Sequence, residues 1–172
     1  GPSNLTVAWK YQTGGSVISS PTVSDDIVYF GSTDGYIYAV DAWTGNLYWK
    51  FQTGAPVESS VAVANGWVYT GGDDGYVYCL NPCTGALRWK TFVNGNLEFT
   101  FGNLVLKSSP AVANGFVFIG SLDGYLYALD WDTGVIQWKT QAGGPIESSP
   151  AYADGAVYFT AEEPETGMAY KL

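Results

Sequence analysis

Short runs of β-branched and aromatic residues alternate along the chain with residues that favour turns. An Asp-Gly or Asn-Gly pair between two such runs favours a tight hairpin, because type I′ turns need positive φ angles. The first group of runs therefore predicts four successive strands joined by turns. These strands are predicted at 17–23, 27–32, 36–41 and 46–49, with turns at Asp25-Asp26, Asp34-Gly35 and Thr44-Gly45.

The same group of four runs recurs three more times, and a tryptophan followed by lysine marks every copy. These residues are Trp9, Trp49, Trp89 and Trp138, at spacings of 40, 40 and 49 residues. A period of about 40 to 45 residues built from short strands is typical of propeller blades. The pattern predicts an all-β fold, a β-propeller of four four-stranded antiparallel blades. The predicted domain is 1–172, with blades at about 10–49, 50–89, 90–138, and 139–172 plus 5–9.

The two ends of the chain suggest how the array closes. Residues 168–172 align with 36–40, so the last blade stops after its third strand. Residues 5–9 have the character of the missing fourth strand, and we expect them to pair with the last blade and cover its open edge. Closure within one chain gives a four-bladed ring, and exchange of ends between two chains gives a strand-exchanged dimer with eight blades. A piece of a longer array with raw edges is the third reading, and the sequence leaves all three open.

The segments that end at the repeated tryptophans resemble the tryptophan-docking motif of PQQ-like (quinoprotein-type) β-propeller repeats. Segments 39–49 and 128–138 match this motif, and 79–89 matches it with Cys for Ala and Asn for Asp. In that family the indole wedges between adjacent blades against a glycine, so the motif is a structural device and does not itself indicate quinone binding. The resemblance assigns blade docking to Trp9, Trp49, Trp89, Trp138, Gly45, Gly85 and Gly134.

Composition narrows the range of functions. The net charge of −9 and a pI near 4.1 make the surface acidic, so we expect no binding to nucleic acid. The sequence has no run of 18 apolar residues, so we expect no membrane span. It also has no histidine, which removes the commonest general base and the commonest metal ligand. We therefore expect a protein that is not an enzyme.

One candidate metal site combines two carboxylates. Glu58 and Glu147 each precede a Ser-Ser pair, at the predicted start of the innermost strand of the second and fourth blades. In a four-bladed ring they would face each other across the mouth of the channel, and hard cations such as Ca²⁺ prefer oxygen ligands. The alternative is that both carboxylates are solvated or paired with Lys107, which holds the equivalent position in the third blade.

Aromatic residues outside the docking motif are candidates for contact with a partner. Phe99 and Phe101 lie in an insertion predicted to form a protruding hairpin. Trp43 and Trp131 lie at turns on the opposite face, together with Trp67. Exposed aromatic groups can contact a protein or stack on sugar rings. The alternative is that these side chains cover the ends of the blades or the channel.

Cys79 and Cys83 are the only cysteines, and they lie four residues apart across a turn. This spacing allows a local disulfide or two free thiols. A metal site needs about four nitrogen or sulfur ligands, so two cysteines without histidine are weak evidence for metal.

These observations favour a non-catalytic propeller that acts in protein interaction, as a scaffold or as a sensor domain, within a larger extracytoplasmic protein. The family resemblance suggests an extracellular or periplasmic location and a protein partner, with a homodimer as one form of partner. The alternatives are a carbohydrate-binding propeller and a remnant of a PQQ-dependent dehydrogenase. Such dehydrogenases combine eight blades with PQQ, Ca²⁺, a catalytic Asp and usually adjacent cysteines, and this chain is shorter and lacks the adjacent cysteines. We therefore expect no cofactor.

Overall fold

The structure is a computed structural model that describes residues 6–93, 106–163 and 166–172. Within these ranges the chain forms four antiparallel sheets and no helix. The first sheet contains β1 (Thr22–Ser24), β2 (Ile27–Ser32), β3 (Tyr36–Asp41) and β4 (Leu47–Gln52). The second contains β5 (Ala62–Ala64), β6 (Trp67–Gly71), β7 (Tyr76–Leu80) and β8 (Leu87–Phe92). The third contains β9 (Ala111–Ala113), β10 (Phe116–Gly120), β11 (Tyr125–Asp130) and β12 (Ile136–Gln141). The fourth contains β13 (Ala151–Ala153), β14 (Ala156–Glu163) and β15 (Thr166–Lys171).

Each sheet is a meander in which strands adjacent in sequence are adjacent in space. The inner strands of successive sheets are neighbours, β1 with β5, β5 with β9 and β9 with β13. Sheets that stack side by side around their inner strands are propeller blades. The predicted all-β propeller is therefore confirmed, and each sheet is called a blade below.

The inner strands are shorter than predicted, because a serine side chain replaces part of the ladder. The expected first strand begins at Val17, but β1 begins at Thr22. Before it, the Ser19 hydroxyl donates to the Gly31 carbonyl at 3.0 Å and accepts from the Gly31 amide at 2.9 Å. The Ser108 and Ser148 hydroxyls likewise accept from the amides of Gly120 and Thr160 on the next strand of their own blades, both at 3.0 Å. Glu58, Lys107 and Glu147 therefore lie in the loops before the inner strands.

Two kinds of turn join the strands. Asn65 and Gly66 have φ angles of 52° and 76°, which are the two positive values that a type I′ turn needs. The Asp34-Gly35 turn is different, since only Gly35 has positive φ and its amide bonds the Ser32 carbonyl. This is a three-residue hairpin loop with glycine in the left-handed position.

The predicted pairing of the N-terminal segment with the last blade is not found in the described part of the chain. Residues 6–10 form no strand, Leu5 lies outside the described residues, and the fourth sheet has three strands. The Trp9 indole contacts the first blade, where its Nε1 donates to the Ala42 carbonyl oxygen at 3.0 Å. The N-terminal segment is thus attached at one end of the array while β15 lies in the last blade.

Candidate interaction surfaces

An indole seated on a glycine occurs three times: Trp49 and Trp89 cross the first two seams between blades, and Trp9, which lies in no described strand, sits on the first blade. The rings of Trp9, Trp49 and Trp89 lie so close to these glycines that an added Cβ would be 2.7, 2.7 and 2.5 Å from ring atoms. The glycines are Gly45, Gly85 and Gly134. Each has a positive φ angle, so the position requires glycine both for space and for backbone conformation.

A carbonyl oxygen beside each glycine fixes the indole. The Trp49 Nε1 donates to the Pro82 carbonyl at 2.7 Å, and the Tyr29 hydroxyl donates to the same oxygen at 3.3 Å. Trp89 and Tyr69 both donate to the Trp131 carbonyl at 3.2 Å. Each of these two seams therefore combines one indole, one tyrosine hydroxyl and one backbone carbonyl.

The fourth predicted docking residue is in a different environment. The Trp138 side chain is 36% exposed, although it contacts the Phe118 ring at 5.8 Å between centroids. Among the described glycines of the last blade, Gly155 and Gly167 would have nothing within 4 Å of an added Cβ, so neither lies against this ring.

Charged side chains gather on the face that carries the loops before the inner strands. The Lys107 ammonium lies 3.5 Å from the Glu147 carboxylate. Pairing of these two side chains was the predicted alternative to a metal site. Both side chains are largely exposed, so the pair contributes little to stability. Among the described residues, no group of three or more Cys, Asp or Glu side chains has the arrangement of a metal site. The Ca²⁺ hypothesis for Glu58 and Glu147 has no further support from this geometry.

Asp73 belongs to this charged group and was not singled out from the sequence. Its Oδ1 is buried without a hydrogen-bond partner among the described residues. Burial and the nearby Glu58 charge raise the pKa of Asp73 to about 6, against an opposing effect of Lys107. The sequence carries one signal for Asp73, because this position departs from the repeat. The equivalent positions of the first and third blades hold the uncharged residues Thr33 and Leu122.

The opposite face carries the turn tryptophans, and they differ sharply in exposure. Trp43 is 77% exposed, while its backbone amide bonds Asp41 at 3.0 Å and its Nε1 bonds Asp26 at 3.2 Å. The Nε1 bond restrains the orientation of the indole, which presents a large aromatic surface to solvent.

Trp67 and Trp131 are half-buried and pack against the core between the second and third blades. The Arg88 guanidinium lies 3.9 Å from the Trp67 ring centroid and 5.8 Å from that of Trp131. Arg88 also forms an ion pair with Asp132. Trp131 is therefore less available to a partner than Trp43. Phe99 and Phe101 lie outside the described residues.

The two cysteines are free in the structure, so the disulfide considered for them is not formed. Cys79 is fully buried on β7 beside Tyr69, and burial raises the pKa of its thiol to about 12. Cys83 is exposed on the turn that follows. Their side chains lie in different environments because Cys79 belongs to the core between the second and third blades.

The chain is similar to one known protein family. The family described as outer membrane protein assembly factor BamB matches residues 3–59, 33–100 and 98–170. No individual curated protein matches significantly. The described residues contain no helix long and apolar enough to cross a bilayer.

Solved structures with the same fold include natural and designed propellers. BamB from Moraxella catarrhalis is 21% identical with a TM-score of 0.74, and the match covers 94% of this chain and 51% of BamB. The quinohemoprotein alcohol dehydrogenase ADHIIG from Pseudomonas putida HK5 is 23% identical with a TM-score of 0.76. The match covers 88% of this chain and 29% of the dehydrogenase. The computationally designed Ika4 protein is 20% identical with a TM-score of 0.71, covering 92% of both chains. The chain thus spans about half the length of BamB and less than a third of the dehydrogenase.

Proposed function

Since this chain belongs to the family of PQQ-like repeat propellers described as outer membrane protein assembly factor BamB, we propose that it is a non-catalytic protein-interaction scaffold. One observation carries the proposal: Trp43 is 77% exposed, yet its indole Nε1 donates a hydrogen bond to Asp26 at 3.2 Å, and its backbone amide donates one to Asp41 at 3.0 Å. A rigid aromatic surface loses little conformational entropy on binding, and tryptophan is enriched among the residues that dominate interface energies. The proposed contact surface is the turn face around Trp43.

The proposal extends to location and to the class of partner. The BamB family resemblance supports an extracellular or periplasmic setting, in which the partner is another protein. The net charge of −9 works against a nucleic-acid partner.

One observation favours the non-catalytic reading over a dehydrogenase. The family model that matches residues 3–59, 33–100 and 98–170 is described as that of an outer membrane protein assembly factor. A dye-reduction assay with added PQQ and Ca²⁺ tests this directly. We expect no turnover, and turnover that depends on PQQ would contradict the proposal.

Binding can be tested at Trp43 itself. A photo-crosslinking amino acid at position 43 should capture a defined partner from a periplasmic extract, while the same probe at exposed Leu87 on β8 should not. The purified partner should then bind Trp43→Ala at least about tenfold more weakly than the wild type, and Leu87→Ala equally well. Equal binding of wild type and Trp43→Ala would contradict the proposed surface.

Carbohydrate binding is the second candidate, and the same residue favours it. The Trp43 ring is exposed beside the carboxylates of Asp26 and Asp41, which could accept hydrogen bonds from sugar hydroxyls. A glycan array probed with wild type and with Trp43→Ala separates the two candidates. The array contains no protein partner, so a signal that the wild type gives and Trp43→Ala does not would indicate a sugar-binding site at Trp43.

A further inference from the structure

The hairpin turn that orients Trp43 departs from the repeat. It carries Asp25 and Asp26, whereas the same turn has glycine in second position in the other three blades, at Gly66, Gly115 and Gly155. Asp26 has a φ angle of 61°, a left-handed conformation that glycine adopts freely and other residues adopt less readily. Its carboxylate is the group that accepts the Trp43 Nε1 hydrogen bond at 3.2 Å. The first blade thus has an aspartate, in place of the glycine of the repeat, that orients its exposed indole.

Three carboxylates surround this indole without a positive charge of their own. Asp25 and Asp26 are exposed, and Asp41 accepts from the Trp43 backbone amide at 3.0 Å and from the Tyr48 hydroxyl at 2.6 Å. The bonds from Tyr48 and Thr44 lower the pKa of Asp41 to about 2, so this carboxyl group is ionised at neutral pH. Among the described residues, no lysine or arginine forms an ion pair with any of the three, since the ion pairs there involve Asp132 and Glu147.

The boundary between the second and third blades shows how a guanidinium fits such groups on the same face. Arg88 lies one residue before a docking tryptophan, forms an ion pair with Asp132 and lies 3.9 Å from the Trp67 ring centroid. Asp132 holds the turn position that Trp43 holds in the first blade. Ala8, the residue one before the docking tryptophan that contacts the first blade, carries no charge. The first blade therefore has the aromatic ring and the carboxylates, but the chain supplies no guanidinium to them.

We infer that the surface formed by Trp43, Asp26 and Asp41 binds an arginine-containing segment of a partner protein. The inference rests on the proposed function, because it names the class of partner for the same surface. The Nε1 hydrogen bond lies in the plane of the indole and leaves the face of the ring available to a cation. Arginine fits better than lysine, because its planar group can stack on the ring while its N–H groups donate to a carboxylate.

Charge favours this partner over an apolar one. An apolar surface that covered Trp43 would remove water from the neighbouring carboxylates without replacing their hydrogen bonds, which is costly. A basic segment supplies those bonds, and the net charge of −9 attracts it from a distance.

A peptide titration followed by NMR tests the chemistry without a known partner. The probe is Gly-Arg-Gly-Arg-Gly, and the readout is the indole Nε1–H signal of Trp43, identified by its absence in Trp43→Ala. We expect this signal to shift and the arginine peptide to bind at least about fivefold more tightly than its glutamine counterpart, with the lysine counterpart between them. Added salt should weaken the binding. Equal affinities for the arginine and glutamine peptides would overturn the inference.

Asp26→Asn isolates the charge from the support that Asp26 gives the ring. Asparagine keeps an oxygen that can accept the Nε1 hydrogen bond and tolerates positive φ, so only the negative charge is lost. We expect the arginine peptide to bind this variant about two- to fivefold more weakly. Asp154→Asn is the matched control, because it removes one charge from the equivalent exposed turn of the fourth blade, and its affinity should equal that of the wild type. Equal affinities of Asp26→Asn and wild type would overturn the inference.

Failure of this inference can be distinguished from failure of the proposed function. A protein partner that binds Trp43→Ala weakly but binds Asp26→Asn as tightly as the wild type would overturn the arginine assignment and leave the contact surface in place. A partner that binds Trp43→Ala and wild type equally would overturn the surface itself. A glycan that shifts the Trp43 signal while the arginine peptide does not would assign the site to sugars and overturn the inference.

Discussion

The Trp49 ring lies against Gly85 across the first seam, where an added Cβ would be 2.7 Å from two ring carbons. Real Cβ atoms do not approach other atoms so closely, and a planar indole held by its own hydrogen bond cannot move aside easily. The contact explains why the repeat joins a tryptophan in one blade to a Thr-Gly turn in the next, about 40 residues away.

Replacing this glycine should therefore loosen a seam. We expect Gly85→Ala to lower the free energy of unfolding by about 2 to 4 kcal/mol, from steric overlap and from a methyl group at positive φ. Gly66→Ala is the matched control, because Gly66 has a similar φ of 76° but nothing within 4 Å of an added Cβ. It should lose only about 1 kcal/mol. Urea unfolding measures both, and equal losses would show that space at the seam is unimportant.

The charge of Asp73 should make stability depend on pH. Its pKa is raised to about 6 in the folded chain, so the folded state binds this proton more tightly than the unfolded state does. The resulting stabilisation is present at low pH and is lost as pH rises through about 6. Asp73→Asn should raise the free energy of unfolding at pH 7 by about 1 kcal/mol, a value discounted for partial exposure.

Thermal unfolding of wild type and Asp73→Asn between pH 4 and 7 measures this effect. This range covers the ordinary pKa of an aspartate, about 4, and the raised pKa of Asp73, about 6. The difference between the two proteins should shrink toward acid. A difference that stays constant over this range would mean that Asp73 is not protonated there.

The serine bond that replaces part of the inner strand should contribute measurably. The Ser108 hydroxyl is fully buried and accepts from the Gly120 amide at 3.0 Å. Ser108→Ala leaves that buried amide without a partner, so we expect a loss of about 1 to 3 kcal/mol. Ser24→Ala removes an exposed bond to Asp25 and should change stability by less than about 0.5 kcal/mol. Similar values for both variants in urea unfolding would contradict the role assigned to Ser108.

The two thiols should react at very different rates. Cys83 is exposed and should be alkylated in the native protein, whereas Cys79 is buried with a pKa raised to about 12. Mass spectrometry after iodoacetamide treatment should therefore find one modified cysteine without denaturant and two with it. Native protein that resists alkylation at both positions would indicate that Cys83 is not free.

Repetition made most of the fold predictable, because each blade repeats the same strand and turn signals. Three features were not predictable. Ser-Ser pairs look like ordinary strand residues, so the hydroxyl that shortens the inner strand at Ser19 gave no signal. The partial burial of Asp73 depends on neighbouring blades rather than on its own segment. The N-terminal segment had the right composition for an outer strand, but composition does not determine whether residues 6–10 form a ladder, and in the structure they contact the first blade through Trp9.

Binding of the purified partner to Trp43→Ala tests the central claim most directly, namely that the turn face around Trp43 is a protein contact surface. The Trp43 residue is 77% exposed, and its indole Nε1 donates to Asp26 at 3.2 Å. We predict that the partner binds Trp43→Ala at least about tenfold more weakly than the wild type. Equal binding of the two proteins would contradict the claim.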